Sequence, residues 1–64
     1  MLTPTIRERR MEAHMTQTEL AEKAELDQTQ LSRYENGKNL PGLEVLMKLE
    51  EVLNCTLKDL YKKE

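Results

Sequence analysis

One cysteine, Cys55, one histidine, His14, two glycines and no phenylalanine or tryptophan mark this 64-residue chain. A single cysteine builds neither a disulfide framework nor a CxxC metal site, which fits a reducing compartment. Cys55 reads as a small apolar residue at a helix junction, the alternative being an intermolecular disulfide. A lone histidine cannot assemble a metal centre, and His14 has no serine, cysteine or aspartate at catalytic spacing. No glycine-rich loop is present to cradle a phosphate. These absences argue against an enzyme, and neither a cofactor nor a metal is expected.

No run approaches the ~18–20 apolar residues of a membrane span, and no basic segment followed by an apolar one opens the chain. A cytoplasmic protein without membrane contact is expected. Repeats, linkers and low-complexity tracts are missing, so residues 1–64 read as one domain, with 1–3 and 62–64 frayed and no small-molecule ligand domain. A core of this size rarely supplies more than ~3–5 kcal/mol without a staple or a partner subunit.

Helix signals are abundant. Thr16 with Glu19, Asp27 with Gln30, and Thr56 with Asp59 each have the spacing of a capping box, predicting helix starts near Gln17, Gln28 and Leu57. The first two helices are separated by a turn of about four residues, which makes a helix-turn-helix. Thr3 and Pro4 suit the N-cap and first position of an earlier helix running to Ala13 or His14, with Ile6, Arg10, Ala13 and Met11 inward. Gly37 is placed to end the third helix in a left-handed conformation. Pro41-Gly42 breaks the chain before a fourth helix over Leu43–Leu53, with Asn54 as its C-cap.

The third helix has two dissimilar faces. At about 100° per residue, Leu31 and Tyr34 share one side. Thr29, Ser32, Arg33 and Asn36 share the other, with Gln28 at its edge, and no carboxylate lies among them. Net charge −2 and a sequence pI near 5.4 predict weak non-specific attraction to nucleic acid. An amide, a guanidinium and two hydroxyls are nevertheless groups that hydrogen-bond in the major groove.

Thr16-Gln17 with Leu20-Ala21, Leu31-Ser32-Arg33-Tyr34-Glu35-Asn36-Gly37-Lys38 and Pro41-Gly42-Leu43-Glu44 together resemble the Cro/C1-type (XRE family) helix-turn-helix of phage repressors and their bacterial relatives. The resemblance runs from about Ile6 to Tyr61. It implies an all-α, five-helix, lambda-repressor-like fold in which helices 2 and 3 form the helix-turn-helix and helix 3 lies in the major groove. It also implies that Arg10 pairs with Glu35 and can approach a DNA phosphate, and that Gln17 contacts phosphate while bracing Gln28. The bland alternatives are unrelated exposed charges for Arg10 and Glu35, and an ordinary helix-start residue for Gln17.

The expected base readers are Gln28, Thr29, Ser32 and Arg33, and the expected phosphate contacts are Arg10, Gln17, Asn36 and Lys38. Arg33 could instead touch phosphate or form a surface salt bridge, and Lys38 could be only a solvated charge. Three positions depart from the family pattern. His14 and Glu25 stand where it usually has glycine, so positive φ is expected at His14 and either strain or remodelling at Glu25. Arg9 replaces an apolar residue, so its stem is expected over the core with its head in solvent.

The apolar residues of the fourth helix span an arc of about 220°, against a little over 100° for an ordinary surface helix. Either that helix is packed on several sides or part of the arc is a subunit interface. The leading expectation is a homodimeric repressor, joined through helices 4 and 5, that binds an inverted repeat in double-stranded DNA. The alternative is an antitoxin-like or adaptor module that uses the same apolar surface to bind another polypeptide.

Overall fold

The computed structural model describes residues 2–63. Five helices follow one another: α1 (Ile6–Glu12), α2 (Gln17–Lys23), α3 (Gln28–Glu35), α4 (Leu43–Leu53) and α5 (Leu57–Leu60). Each supplies at least one buried side chain: Ile6 from α1, Leu20 and Ala21 from α2, Leu31 and Tyr34 from α3, Leu49 from α4 and Leu60 from α5. None of the helices is long and apolar enough to cross a membrane. The expected all-α, five-helix architecture is present, with α2 packed on α3 as the helix-turn-helix.

Both ends depart from expectation. Leu2–Pro4 (β1) and Tyr61–Lys63 (β2), expected to be mostly frayed ends, form an antiparallel ribbon in which Leu2 faces Lys63 and Pro4 faces Tyr61. The expected fraying of Met1 and Glu64 falls outside the described residues. Thr3 and Pro4 therefore do not open α1. Thr5 does, because its N–H donates to the Leu60 carbonyl at 2.8 Å and its hydroxyl to the Asp59 carbonyl at 2.6 Å. Both acceptors lie at the end of α5, far away in sequence. Pro4 costs little in the ribbon, since an edge strand has backbone positions that need no N–H.

Helix α1 stops at Glu12, and Ala13 and Met11 are exposed rather than inward. Arg9 behaves as expected of a charged residue at an apolar position. Its Nε donates to the Asp59 carbonyl at 3.3 Å, and its terminal nitrogens reach Glu12 at 3.1 Å and the Asp59 carboxylate at 3.4 Å.

The Thr16 capping box is complete. The Thr16 hydroxyl accepts from the Glu19 N–H at 3.1 Å, and the Glu19 carboxylate accepts from the Thr16 N–H at 2.9 Å. Those bonds hold the Glu19 carboxyl below its ordinary range. Asp59 is lowered in the same way by Thr56, whose N–H and hydroxyl both donate to its carboxylate. The Asp27 box does not form, and the Asp27 side chain accepts no cap bond. Both Asp27 and Gln30 are exposed, where water replaces such a bond at little cost.

Three non-glycine residues have left-handed backbone: His14 (φ 57°), Glu25 (φ 57°) and Asn54 (φ 52°). Asparagine tolerates this region, and a longer acidic side chain does so less well, at roughly 1–2 kcal/mol. The Glu25 side chain is largely exposed, and its one cationic neighbour, Lys48 Nζ, is 4.0 Å away, a pair of small worth. Glu25→Gly is therefore expected to stabilise the protein by about 0.5–1 kcal/mol, net of the glycine's added freedom when unfolded. That should raise the thermal midpoint by roughly 3–6 °C, read by circular dichroism. A midpoint that fell would mean the turn depends on the Glu25 side chain itself.

Helix α4 spans the predicted residues, and its wide apolar arc is divided. Leu49 is fully buried, and Val45, Leu46, Val52 and Leu53 pack against the core around it. Leu43, 75% exposed, and Met47, 59% exposed, point away from it. Leu40 at 75% and Leu57 at 49% add to this outward apolar surface.

Candidate nucleic-acid interface

The recognition surface is built outward from one buried carboxylate. Glu35, on the last turn of α3, has a fully buried side chain. Arg10 Nε donates to its Oε2 at 2.8 Å, and Arg10 Nη2 and Gln17 Nε2 donate to its Oε1 at 3.3 and 3.2 Å. Arg7 Nε stands 3.6 Å from the same oxygen. A carboxylate removed from water needs such partners, and two guanidinium groups and an amide supply them. The expected Arg10–Glu35 pair is thus present, joining α1 to α3.

Arg10 is also held by a third bond, from Nη1 to the Met15 carbonyl at 3.0 Å, and only 13% of its side chain is exposed. With all three nitrogens engaged in protein bonds, it braces Glu35 from behind the surface. Its two terminal nitrogens each keep one further hydrogen.

Gln17 links the buried acid to the outside. Its Nε2 faces Glu35, and its Oε1 accepts from Gln28 Nε2 at 3.4 Å. The bracing expected of Gln17 on Gln28 is therefore present, tying the first turn of α2 to the first turn of α3. Free N–H groups at these two helix starts add partial positive charge, which favours a phosphate nearby.

Gln17, Gln28, Thr29, Ser32, Arg33 and Lys38 line one shallow cleft of about 370 Å³. Four of them project from α3, one from α2 and one from the loop after Gly37. Gly37 has φ +75°, which reverses the chain so that the Lys38 N–H donates to the Arg33 carbonyl at 2.9 Å and the helix end is closed. A Cβ added at Gly37 would lie 3.6 Å from the Pro4 ring, an ordinary contact, so the positive φ and not lack of space calls for glycine here. Arg33 and Lys38 are exposed and take part in none of the ion pairs among the described residues. Their positive charges face solvent beside hydroxyls and amides, and no carboxylate lines the cleft.

Asn36 borders this group without lining the cleft. Its Oδ1 accepts from Arg7 Nη2 at 3.0 Å, and its Nδ2 donates to Ser32 Oγ at 3.4 Å. Arg7 is the participant that the sequence reading passed over. The signal for it was spacing: Arg7 lies three residues before Arg10, on the same side of α1, so a helix that aims one guanidinium at Glu35 brings the other near it.

The model of a helix-turn-helix family matches residues 6–60. The "ImmF control region 10 kDa protein" of Bacillus phage phi105 is 36% identical over 52 residues, covering 81% of this chain. The chain spans 58% of that phage protein's length. The crystal structure of a Bacteroides fragilis protein with a proposed DNA-binding role superposes with a TM-score of 0.85 at 29% identity, covering 97% of this chain and all of the other. The chain belongs to the Cro/C1-type helix-turn-helix family of DNA-binding proteins.

Proposed function

We infer that the protein is a homodimeric repressor that reads an inverted repeat through α3. The carrying observation is the cleft in which Gln28, Thr29, Ser32 and Arg33 stand together, free of carboxylates and edged by Gln17 and Lys38. Gln28, Thr29 and Arg33 read bases, with Ser32 beside them. Gln17, Asn36 and Lys38 hold phosphates at the two ends of the helix, and Arg10 supports them from within. A relative named for the control region of a phage supports a regulatory, cytoplasmic role.

Dimerisation is supported by the exposed apolar face. Leu2, Leu40, Pro41, Leu46, Leu57 and Tyr61 line a groove of about 430 Å³ beside α4 and α5, and Leu43 and Met47 extend the outward surface of α4. Exposed apolar residues in this number on so small a domain mark an interaction surface. A second copy held there by two-fold symmetry sets the recognition helices about 34 Å apart, one turn of DNA. The same surface favours a second reading, an antitoxin-like or adaptor module that docks another polypeptide.

In vitro selection from random duplex DNA at about 100 mM salt, with sedimentation equilibrium of the same sample, separates the two. A dimer that enriches an inverted repeat with half-site centres one helical turn apart is the expected result. A folded monomer that enriches no sequence would overturn the repressor reading and leave the interaction module.

A further inference from the structure

The polar groups between Arg7 and the cleft can point only one way. A guanidinium has hydrogens to give and no lone pair to share, so Asn36 must turn its side-chain oxygen toward Arg7 Nη2, 3.0 Å away. The amide nitrogen is then left facing Ser32, one helical turn earlier and 3.4 Å from Oγ. A serine oxygen that accepts a bond keeps its own hydrogen for another acceptor. Ser32 is half-buried, and its open side is the cleft it shares with Gln28, Thr29 and Arg33.

We propose that Arg7 is a positioning residue for sequence specificity: through Asn36 it holds Ser32 as a hydrogen-bond donor toward the major groove. The base facing Ser32 is thereby selected for an acceptor edge, guanine O6 and N7, adenine N7 or thymine O4, and against cytosine, which offers only its N4 amino group there. Arg7 touches no base itself. Its side chain, about half exposed, is anchored on α1 beside Glu35 at 3.6 Å and acts through two intervening side chains. The inference rests on the reading of DNA by α3 set out above. The competing acceptor for the Ser32 hydrogen is the Gln28 carbonyl one turn back; if that bond prevails, Ser32 turns a lone pair to the groove and the preference for an acceptor edge is absent.

Selection from random duplex DNA tests this with the wild-type protein, Ser32→Ala, Arg7→Ala and Asn36→Asp, each first checked for its helical circular dichroism spectrum. Ser32→Ala and Arg7→Ala should each lose about fivefold discrimination against cytosine. The loss should fall at one and the same base pair of the half-site, with preferences elsewhere unchanged. Asn36→Asp supplies a second acceptor where the amide nitrogen stood, so Ser32 must donate inward and present a lone pair. Preference at that base pair should then turn toward cytosine, whose amino group is its only major-groove hydrogen-bonding group.

Arg7→Ala weakening all sequences alike, or leaving the profile unchanged, would overturn the proposal. So would Ser32→Ala and Arg7→Ala acting on different base pairs, or Asn36→Asp keeping the wild-type preference. Failure of the folded wild-type protein to enrich any sequence would instead overturn the DNA-reading function, and this inference with it.

Discussion

Glu35→Ala is expected to leave about half of the protein unfolded at 25 °C. The substitution removes a fully buried carboxylate and takes from Arg10, whose side chain is only 13% exposed, its one anionic partner, leaving the Met15 carbonyl. Breaking a buried pair from one side costs about 3–5 kcal/mol, because the remaining charge stays in a poor solvent. A domain of this length holds about that much stability in total, so the loss takes the equilibrium to the point of unfolding. Urea titration followed by circular dichroism measures it. Removing both charges, as Arg10→Met with Glu35→Leu, should restore much of the stability, since an apolar pair fills the same space without the desolvation penalty. It should not restore the brace on Gln17. A Glu35→Ala loss under about 1 kcal/mol would mean that water reaches the site and that the network is an ordinary surface cluster.

Arg33→Ala should leave folding untouched and act on one base pair. Its side chain is exposed and bridges to nothing among the described residues, so its removal costs the core nothing. A guanidinium at this place on α3 can grip guanine O6 and N7 together, an arrangement worth about 1–3 kcal/mol of discrimination, or roughly 5- to 150-fold in relative affinity. Titrating the selected operator and its single-base variants against both proteins reads that factor. A guanine preference that disappears at one position of each half-site is the expected outcome. Equal weakening for all sequences, with the salt dependence shallower by about one unit, would make Arg33 a phosphate contact instead.

What could be read from the sequence was mostly what is decided within one or two turns. The Thr16 box, the left-handed Gly37 and the extent of α4 follow from neighbours a few residues away, visible in a linear string, whereas the left-handed His14 was legible from its place in the family pattern. The Arg10–Glu35 bond and the Gln17–Gln28 bond were legible through the family resemblance, which already encodes that packing. Pro4 misled because local rules favour proline at a helix start, whereas here Thr5 is claimed by carbonyls at the end of α5 and Pro4 by Tyr61. Those partners become neighbours only once α5 has docked on α1. Arg7 was missed for a related reason. Its partner Asn36 lies 29 residues further on, and the one local signal, the spacing to Arg10, gains meaning only through the distant Glu35.

The ribbon of Leu2–Pro4 with Tyr61–Lys63 brings the first and last described residues side by side. Its two strands run as the arms of a hairpin whose turn has been left out, with Leu2 and Lys63 side by side. A two- to four-residue hairpin turn would close the backbone there without moving a helix, and new ends could be cut in the exposed loop at 38–40. In such a rearranged molecule the ribbon becomes a local contact. The pairing that now has to wait for nearly the whole chain to fold would then be available at the start, because the long loop that opposes it has been removed.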